Sequence, residues 1–433
     1  MLALALRIEL VVEYHVVPVD GAQYHLLSQQ LIREGRFAFS SDKPPTFSRM
    51  PGYPLFLAYL AVRKPVGTAR YSLRATLANA ILDVGTAALT AGILYEIGAA
   101  IWVQVLGFSM VIGWPLLFIL ASHTLSETLA TFLTTLTVYA MLRAGREDLG
   151  RKTLVWAAVV GATIALGALV RLDAIVLVPA AAVLLWRVGR IPALATAGLV
   201  GAICFAPWPI RNFVRFGIVQ FGSAQWREAE SGEPLPSGPL KWARTWASTA
   251  HDDYDFDPAF AFSINLPKPI PQMYDSEDER GLVQALFDRY DRERLTPAVD
   301  AEFSALGRER ARRAPFRTYV WLPLLRINGM WRSVSGSELT MRSRIFHLPE
   351  FRWAVKWLDR GLYALAALGT IFLFRRMKIV AAALLSVVVV RSLVLGYTVP
   401  LGLSQRFLAE IFPLLIAMAA LAIAGLRERK RSL

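Results

Sequence analysis

This sequence contains a series of apolar stretches, each nearly as long as a membrane-spanning helix. They lie near residues 1–18, 74–97, 99–116, 124–142, 154–170, 173–186, 192–209, 357–374, 379–398 and 407–425. A helix needs about 20 apolar residues to cross a bilayer. Because the chain is 55% hydrophobic and only 18% charged, the sequence predicts an all-α polytopic membrane protein with about ten transmembrane helices.

The basic residues indicate how the chain is oriented in the membrane. Residues 143–152, 187–190, 375–378 and 427–431 hold 13 Lys and Arg against three acids. Short loops rich in Lys and Arg stay on the cytosolic side, which accounts for most of the formal net charge of +14. We therefore expect a plasma-membrane protein with both termini cytosolic. We expect its positive charge to reflect its orientation in the lipid bilayer rather than binding to nucleic acid.

The first span contains ionisable residues that are unusual at membrane depth. Arg7, Glu9 and Glu13 lie within it and are expected to face the interior of the helix bundle. A cleavable signal peptide is the alternative interpretation. The two glutamates and the absence of an A-x-A cleavage site argue against it.

The first polar loop, residues 19–73, carries the most distinctive pattern of the chain. It opens with an isolated acid, Asp20, and a helix over this stretch would place Tyr24 on the same face. The same spacing adds Leu27 and Leu31 to that face. We predict a helix lying in the membrane interface on its apolar side, with a carboxylate at its start.

The same loop ends on the motif Arg49-Met-Pro-Gly-Tyr-Pro54. Its two prolines fix the backbone, and Gly52 allows a tight turn next to Tyr53. An ordered polar loop between two membrane spans is where we expect the chemistry of the protein to lie.

Further polar residues fall at the predicted external ends of other spans. They are Glu127, Arg171, Asp173, Trp208, Arg211, Asn212, Arg406 and Glu410. Each has a structural interpretation: a helix-start acid, an ion pair at a tight turn, an aromatic belt, or an i,i+4 pair of Arg406 with Glu410. Taken together, they predict a site at the membrane edge for a lipid with an anionic headgroup.

The sequence gives little reason to expect a metal or another cofactor. Its one cysteine, Cys204, lies in an apolar run. His15, His25 and His123 could bind a metal together with Asp20 and Glu127, but no HxxxH or HxH spacing supports such a site. We therefore predict neither a metal nor another cofactor.

Changes in composition divide the chain into three regions. Residues 1–210 are predicted to form an N-terminal transmembrane module that includes loop 19–73. Residues 211–352 are polar and rich in proline, which predicts an external, mixed extramembrane domain that ends in an interfacial helix. Residues 353–433 are predicted to form the C-terminal transmembrane helices.

The order of the motifs resembles a known family. The motifs are Asp20-x-x-x-Tyr24, Arg49-x-Pro-Gly-Tyr-Pro54, Ser126-Glu127, Arg171-Leu-Asp173, Pro207-Trp-x-x-Arg-Asn212 and Gln405-Arg-Phe followed by Pro413. In this order they resemble the GT-C membrane glycosyltransferases of the protein O-mannosyltransferase and aminoarabinose-lipid A transferase superfamily, which use polyprenyl-phosphate sugars. Many relatives carry a second acid after the loop aspartate, whereas here Gly21 follows Asp20.

This resemblance implies an inverting transfer of a sugar from a polyprenyl-phosphate donor to an acceptor hydroxyl at the external face. It assigns the general base to Asp20 and the donor phosphate to Arg211, Arg171 and Arg406, with Arg49 as a loop alternative. Supporting roles fall to Tyr24, Tyr53, Glu127, Asp173, Trp208, Asn212 and Glu410. Loss of a phosphate leaving group calls for positive charge, which these arginines supply.

Other functions remain open at this point. A transporter or flippase for a lipid-linked sugar, an inactive assembly protein of the cell envelope, and another membrane transferase are the alternatives. A transporter is expected to place ionisable residues near mid-membrane and to show two similar halves, and no such internal repeat is visible. The sugar is unspecified, and so is the acceptor, whether a glycan, a lipid or a protein.

Overall fold

The computed structural model describes residues 2–14, 16–61, 68–146, 150–186, 191–222, 238–248, 271–293, 296–333, 349–399 and 404–431. Within these residues the chain is helical, and the pairing of Val16 with His123 is an isolated bridge rather than part of a sheet. The all-α prediction is therefore confirmed for this part of the chain.

Eleven α-helices form the first half of the chain. They are α1 (Leu2–Tyr14), α2 (Val19–Glu34), α3 (Gly52–Leu60), α4 (Thr68–Glu96), α5 (Ile101–Gly113), α6 (Pro115–Ala121), α7 (Glu127–Arg146), α8 (Arg151–Val170), α9 (Val178–Trp186), α10 (Ile191–Phe205) and α11 (Pro207–Phe216). A 3-10 turn, Leu172–Leu177, joins α8 to α9.

The described residues of the second half add seven more helices. They are α12 (Gly238–Ala243), α13 (Glu277–Glu293), α14 (Pro297–Arg313), α15 (Leu322–Arg332), α16 (Pro349–Arg376), α17 (Lys378–Thr398) and α18 (Phe412–Arg431). A π-helical turn, Arg317–Trp321, precedes α15, and a 3-10 turn, Gln405–Ile411, precedes α18.

Six helices in the described part of the chain are long and apolar enough to cross a membrane. They are Ser72–Glu96, Arg151–Val170, Ile191–Phe216, Glu350–Arg376, Lys378–Thr398 and Gln405–Arg427. Helices α5 and α6, bent by 56° at Trp114, make a seventh if they count as one span. The chain is thus a helical membrane protein, and the count of about ten spans stays a prediction.

The chain separates into two compact units. The first contains Met1–Ser223, Val334–Arg391 and Ala409–Leu433, and the second contains Ala224–Ser333 and Ser392–Leu408. The second unit has a core of aromatic residues from α12, α13 and α14, including Trp242, Phe287 and Phe303. Every element described in it is helical, so the mixed fold expected there is not seen in this part. The boundaries predicted at residues 210 and 352 stay predictions.

A buried ion pair ties α1 to α4 in the first unit. The Arg7 guanidinium lies 2.6 Å from the Asp83 carboxylate and over the ring of Phe118. Arg7 therefore faces the bundle interior, as predicted. The same prediction is wrong for Glu9 and Glu13, which are exposed, because the other side of α1 has no described helix covering them.

Helix α2 begins where the sequence predicted, but its apolar face packs against other parts of the protein instead of lipid. Tyr24 and Leu27 are buried within the first unit rather than laid against lipid. Gly21 explains how α2 comes so close: a Cβ there would lie 2.5 Å from the Thr124 hydroxyl oxygen. Glycine at this position thus lets Asp20 approach the segment that leads into α7.

Helix α3 is brought against α8 by a second glycine. A Cβ on Gly52 would lie 2.7 Å from backbone atoms of Leu169 and Val170, so no larger residue fits without displacing a backbone. Tyr53 then enters a small core with Tyr24 and Val170. The end of loop 19–73 is therefore fixed against the last turn of α8, immediately before Arg171.

Candidate functional site

The predicted general base lies beside an arginine of its own loop. The Asp20 carboxylate accepts a hydrogen bond of 2.7 Å from Nη2 of Arg49. The same guanidinium donates from Nε to Oε1 of Gln23, at 2.9 Å, and lies 5.5 Å from the centre of the Tyr24 ring. The side chains of Asp20 and Arg49 keep 27% and 31% of their surface exposed, so a ligand can reach this ion pair.

Arg211 is held by the other end of the same loop segment. Its Nη1 donates to the carbonyl oxygen of Thr46 and to Oδ1 of Asn212, both at 2.8 Å. Its guanidinium also lies within 5.7 Å of the ring centres of three aromatic residues, Phe37, Trp208 and Phe216. Since Thr46 precedes Arg49 by three residues, one short loop segment positions both cations.

Five ionisable side chains form a buried group that we call the carboxylate cluster. Its members are Glu127, Arg171, Asp173, Arg391 and Glu410. They come from the start of α7, the turn after α8, α17 and the turn before α18. In the ion pairs described, three carboxylates face two guanidinium groups.

The ion pairs of the cluster are short and centre on Glu410. Oε1 of Glu410 lies 3.0 Å from Nε of Arg171 and 2.7 Å from Nη2 of Arg391. Arg171 also reaches Glu127 at 3.1 Å, and Arg391 reaches Asp173 at 3.0 Å. The ion pair expected between Arg171 and Asp173 is present but longer, at 3.7 Å.

A small apolar core joins the Asp20–Arg49 pair to the carboxylate cluster. Tyr24 and Tyr53 pack there at 5.1 Å between ring centres, together with Leu129 and Val170. Val170 precedes Arg171, and Leu129 follows Glu127 by two residues, so the core connects directly to the cluster. The sequence motifs of the first loop, of α7 and of the turn after α8 therefore meet in one region.

An apolar groove opens beside this region. It has a volume of about 430 Å³, lies among α8, α9 and α10, and is lined only by apolar residues and glycine. Leu172 and Phe221 are among its lining residues. Leu172 follows Arg171 in the chain. Gln220 precedes Phe221, and its backbone carbonyl accepts a hydrogen bond from the side-chain amide of Asn212. The groove therefore lies close to Arg171, whose neighbour Leu172 lines it, and to Asn212, which accepts a hydrogen bond from Arg211.

The structural interpretation of Arg406 needs correction. The proposed i,i+4 pair of Arg406 with Glu410 is wrong, because Glu410 is turned to the cations of the first unit. Arg406 belongs to the second unit, where its guanidinium lies 5.9 Å from the Phe407 ring centre. A 3-10 turn rather than an α-helix carries both residues, so their spacing does not place them on one α-helical face.

Of the three histidines considered as metal ligands, the structure describes His25 and His123. Nδ1 of His123 lies 2.6 Å from the carbonyl oxygen of Ile119. Burial lowers the pKa of His25 below its ordinary value, and Arg33 lowers it further. His15 lies outside the described residues. Among the residues that the structure describes, no three His, Cys, Asp or Glu side chains converge as a metal site would require.

Two residues of the site were missing from the sequence-based set. Arg391 interrupts the apolar run VVVVRSLVL, and a lone arginine in a membrane span is itself a signal of a buried ionic partner. Gln23 carried no such signal, because its role depends on Arg49 reaching it from 26 residues away.

No protein-family model and no curated protein matches this sequence. Solved structures that resemble it include ArnT from Cupriavidus metallidurans bound to undecaprenyl phosphate, at 14% identity and a TM-score of 0.42 over 98% of this chain and 76% of ArnT. Another is the archaeal oligosaccharyltransferase AglB from Archaeoglobus fulgidus, in complex with an inhibitory peptide and a dolichol-phosphate. It is 12% identical, with a TM-score of 0.48 over 99% of this chain and half of AglB.

Proposed function

We propose that this protein is an inverting glycosyltransferase that moves a sugar from a polyprenyl-phosphate donor to an acceptor hydroxyl at the external face of the plasma membrane. The observation that supports this most is an apolar groove near a loop that presents Asp20 and Arg49 and that Arg211 of α11 contacts. A polyprenyl phosphate is an apolar chain with an anionic head, and this arrangement provides for both parts.

The apolar groove is the proposed seat of the polyprenyl chain. Its walls contain no polar side chain, so an isoprenoid can fill it without leaving a hydrogen-bonding group unsatisfied. The phosphate would then lie at the end marked by Leu172 and Phe221, close to the segment that positions Arg211.

Arg49 and Arg211 are the proposed phosphate-binding cations. Arg49 is partly exposed, and its ion pair with Asp20 is of the weak kind that a substrate can replace. Arg171, by contrast, is surrounded by three carboxylates and would have to give up buried ion pairs to take a phosphate. We therefore place Arg171 in a supporting role, and the assignment of Arg406 still depends on the resemblance alone.

Asp20 would act as the general base. Its carboxylate takes the proton of the acceptor hydroxyl, the acceptor oxygen bonds to the anomeric carbon, and the bond from that carbon to the phosphate oxygen breaks. The bonding electrons leave with the phosphate, whose charge changes from −1 in the donor to −2. Arg49 would compensate the added charge and, by moving toward the phosphate, uncover the base.

Filling the groove tests this proposal. Gly198 lines the groove, and a Cβ added there meets nothing within 4 Å, so Gly198→Phe should place its ring in the groove without disturbing the backbone. Gly361 of α16 is equally open but does not line the groove, so Gly361→Phe is the matched control. We expect Gly198→Phe to weaken binding of undecaprenyl phosphate at least about tenfold, the effect of losing ~1.4 kcal/mol.

Two results would contradict the proposal. One is equal binding of undecaprenyl phosphate by Gly198→Phe and Gly361→Phe. The other is movement of a lipid-linked sugar across vesicles without formation of a glycosylated product, which would identify the protein as a flippase. Incubation of the purified protein with a panel of polyprenyl-phosphate sugars and envelope extracts, read by mass spectrometry, distinguishes transfer from transport.

A further inference from the structure

Two arginines of the second unit lie close together without an ion pair to any residue that the structure describes. Arg326 of α15 is only 3% exposed, and its guanidinium donates hydrogen bonds to the backbone carbonyl oxygens of Arg244, Ala247 and Gly396. Arg244, which follows α12, donates from Nη2 to the carbonyl oxygen of Thr398, at 3.4 Å. Every acceptor of this Arg244–Arg326 pair is therefore a neutral group.

Another buried arginine of the same unit has the usual surroundings. Arg310 is 1% exposed, and it lies 2.8 Å from Glu279 and 3.0 Å from Asp275. A buried guanidinium normally has such carboxylates because an uncompensated charge away from water is unfavourable. The Arg244–Arg326 pair has only the partial negative charge of carbonyl groups, some of them in the last turn of α17. Within the described residues, two full positive charges thus lack an anion.

Arg244 offers hydrogen-bond donors that an anion can use. Its Nη1 makes no hydrogen bond to a described residue, and its Nε is buried without an acceptor among them. The side chain is only partly buried, so a ligand can reach it from the surface of the protein. Burial and the charge of Arg244 lower the pKa of Arg326 to about 10, and burial also lowers the pKa of Arg244. A bound anion would oppose both shifts.

The Arg244–Arg326 pair lies at the end of a membrane span. Gly396 and Thr398, whose carbonyl oxygens accept from the two arginines, are within the last three residues of the span Lys378–Thr398. Tyr397 stacks on Tyr319 at 6.4 Å between ring centres, and both rings are about half exposed. Tyrosine is enriched at the level of the lipid headgroups. The location therefore favours an anion that belongs to a lipid.

We propose that Arg244, reinforced by the charge of Arg326, binds the phosphate of an anionic lipid headgroup. The phosphate accepts hydrogen bonds from the free donors of Arg244, and the two positive charges favour a lipid with a net negative charge over a zwitterionic one. Arg244 and Arg326 belong to the second unit, whereas Arg49 and Arg211 belong to the first. The inference therefore does not depend on the proposed function.

Two short-chain phospholipids test the inference. Phosphatidylglycerol and phosphatidylcholine both contain a phosphodiester, but only phosphatidylglycerol has a net negative charge. The purified, delipidated protein is titrated with each lipid in a neutral detergent, and native mass spectrometry measures the bound lipid. We expect phosphatidylglycerol to bind at least about tenfold more tightly, since each arginine near a headgroup contributes ~1 kcal/mol toward an anionic lipid.

Inorganic phosphate distinguishes a lipid headgroup from a free anion. It carries the same acceptor oxygens but has no acyl chains to bury against the protein. We therefore expect an equimolar amount of inorganic phosphate to leave the bound phosphatidylglycerol in place.

A substitution at Arg244 shows whether this residue carries the binding. Arg244→Gln should weaken binding of phosphatidylglycerol at least about tenfold, as loss of a hydrogen bond to a charged group does, and should leave phosphatidylcholine binding unchanged. Arg244→Lys keeps the charge but not the forked donors, so its effect should be intermediate, and it serves if Arg244→Gln does not fold.

Arg280→Gln is the matched control. It removes one positive charge from the same unit, but Arg280 is exposed and already pairs with Glu277. Because salt screens distant exposed charges, phosphatidylglycerol binding should stay within about twofold of the wild type.

The chain itself contains another source of negative charge. Asp252, Asp253, Asp255 and Asp257 follow Ala247 in the sequence and lie outside the described residues. A variant with Asp→Asn at all four positions tests whether they compete with the lipid. We expect it to bind phosphatidylglycerol no more than about threefold more tightly than the wild type, because these charges are screened. If only this variant binds phosphatidylglycerol, the chain supplies the anion and the inference is overturned.

Three other results would also overturn the inference. The first is equal affinity of the wild type for phosphatidylglycerol and phosphatidylcholine. The second is equal weakening of phosphatidylglycerol binding by Arg244→Gln and Arg280→Gln, which would show a general effect of net charge. The third is displacement of phosphatidylglycerol by equimolar inorganic phosphate, which would identify a site for a free ion rather than for a lipid.

Discussion

The Asp20–Arg49 pair and the carboxylate cluster have similar chemistry but opposite settings. The pair is about one third exposed and has one carboxylate for one guanidinium, whereas the cluster is buried and has five members from four parts of the chain. An exposed ion pair contributes little to stability and exchanges partners easily. A buried one cannot lose a member without leaving an unpaired charge. The difference suggests that the pair performs the chemistry and the cluster maintains the architecture around it.

The largest effect is expected from removing a cation of the cluster. Arg391→Met removes one of the two guanidinium groups that pair with the three carboxylates of the cluster, so the free energy of unfolding should fall by about 3–5 kcal/mol. Thermal and denaturant unfolding in detergent micelles measure this change. If the Arg391→Met protein is as stable as the wild type, the carboxylate cluster contributes no more to stability than the Asp20–Arg49 pair does.

Removing the cation of the Asp20–Arg49 pair should have the opposite effect, with little loss of stability and a large loss of activity. Arg49→Gln is expected to change the free energy of unfolding by less than about 1 kcal/mol. It should nevertheless lower kcat/KM by about 10²–10³-fold, the effect of losing one group that stabilises a developing anion. Steady-state kinetics and unfolding of the same preparation test both parts. A destabilised variant with normal turnover would reverse our assignment.

A smaller effect is expected at Gln23, which holds Arg49 beside Asp20. Gln23→Met keeps the length of the side chain but removes the acceptor, so kcat/KM should fall by no more than about tenfold, in line with the ~0.5–1.5 kcal/mol of one hydrogen bond. Gln23→Glu restores an acceptor and strengthens the hold on Arg49, which should raise KM for the donor. Equal effects of both variants would show that Gln23 matters only for packing.

The smallest effect should come from a partly exposed carboxylate with no proposed role. Asp275 in the second unit accepts hydrogen bonds from both Nη atoms of Arg317, at 2.8 and 2.9 Å, and from Nη2 of Arg310, at 3.0 Å. The hydrogen bonds from Arg317 contribute most to holding the pKa of Asp275 below its ordinary value. Asparagine at this position keeps an oxygen that accepts from both arginines. The stabilisation from this carboxylate is therefore present above about pH 4 and is lost as the pH falls through the lowered pKa.

Asp275→Asn should accordingly lower the free energy of unfolding by about 1 kcal/mol or less at pH 6. The difference from the wild type should be smaller at about pH 3, because the carboxylate is then largely protonated in the unfolded state. Unfolding curves of both proteins at the two pH values provide the measurement. A difference that grows toward low pH would have the wrong sign for a carboxylate stabilised by arginine.

Much of the fold followed from local sequence patterns. The apolar runs gave most of the long helices because a membrane span must satisfy its backbone hydrogen bonds within itself. The start of α7 at Glu127 and the helix after Asp20 also follow from local signals. What failed depends on distant partners: which face of α2 is covered, where Glu9 and Glu13 point, and which cation Glu410 takes. Spacing along the chain does not report contacts between residues 171, 391 and 410.

If Asp20 is the general base of a glycosyl transfer whose donor phosphate is bound nearby, removing its carboxylate should abolish transfer but leave donor-lipid binding. Asp20→Asn keeps the shape of the side chain but removes the charge that accepts a proton. We predict that it lowers kcat by about 10²–10⁴-fold while undecaprenyl phosphate still binds within a few-fold of its wild-type affinity. An Asp20→Asn enzyme with near-normal turnover would contradict this account of the protein.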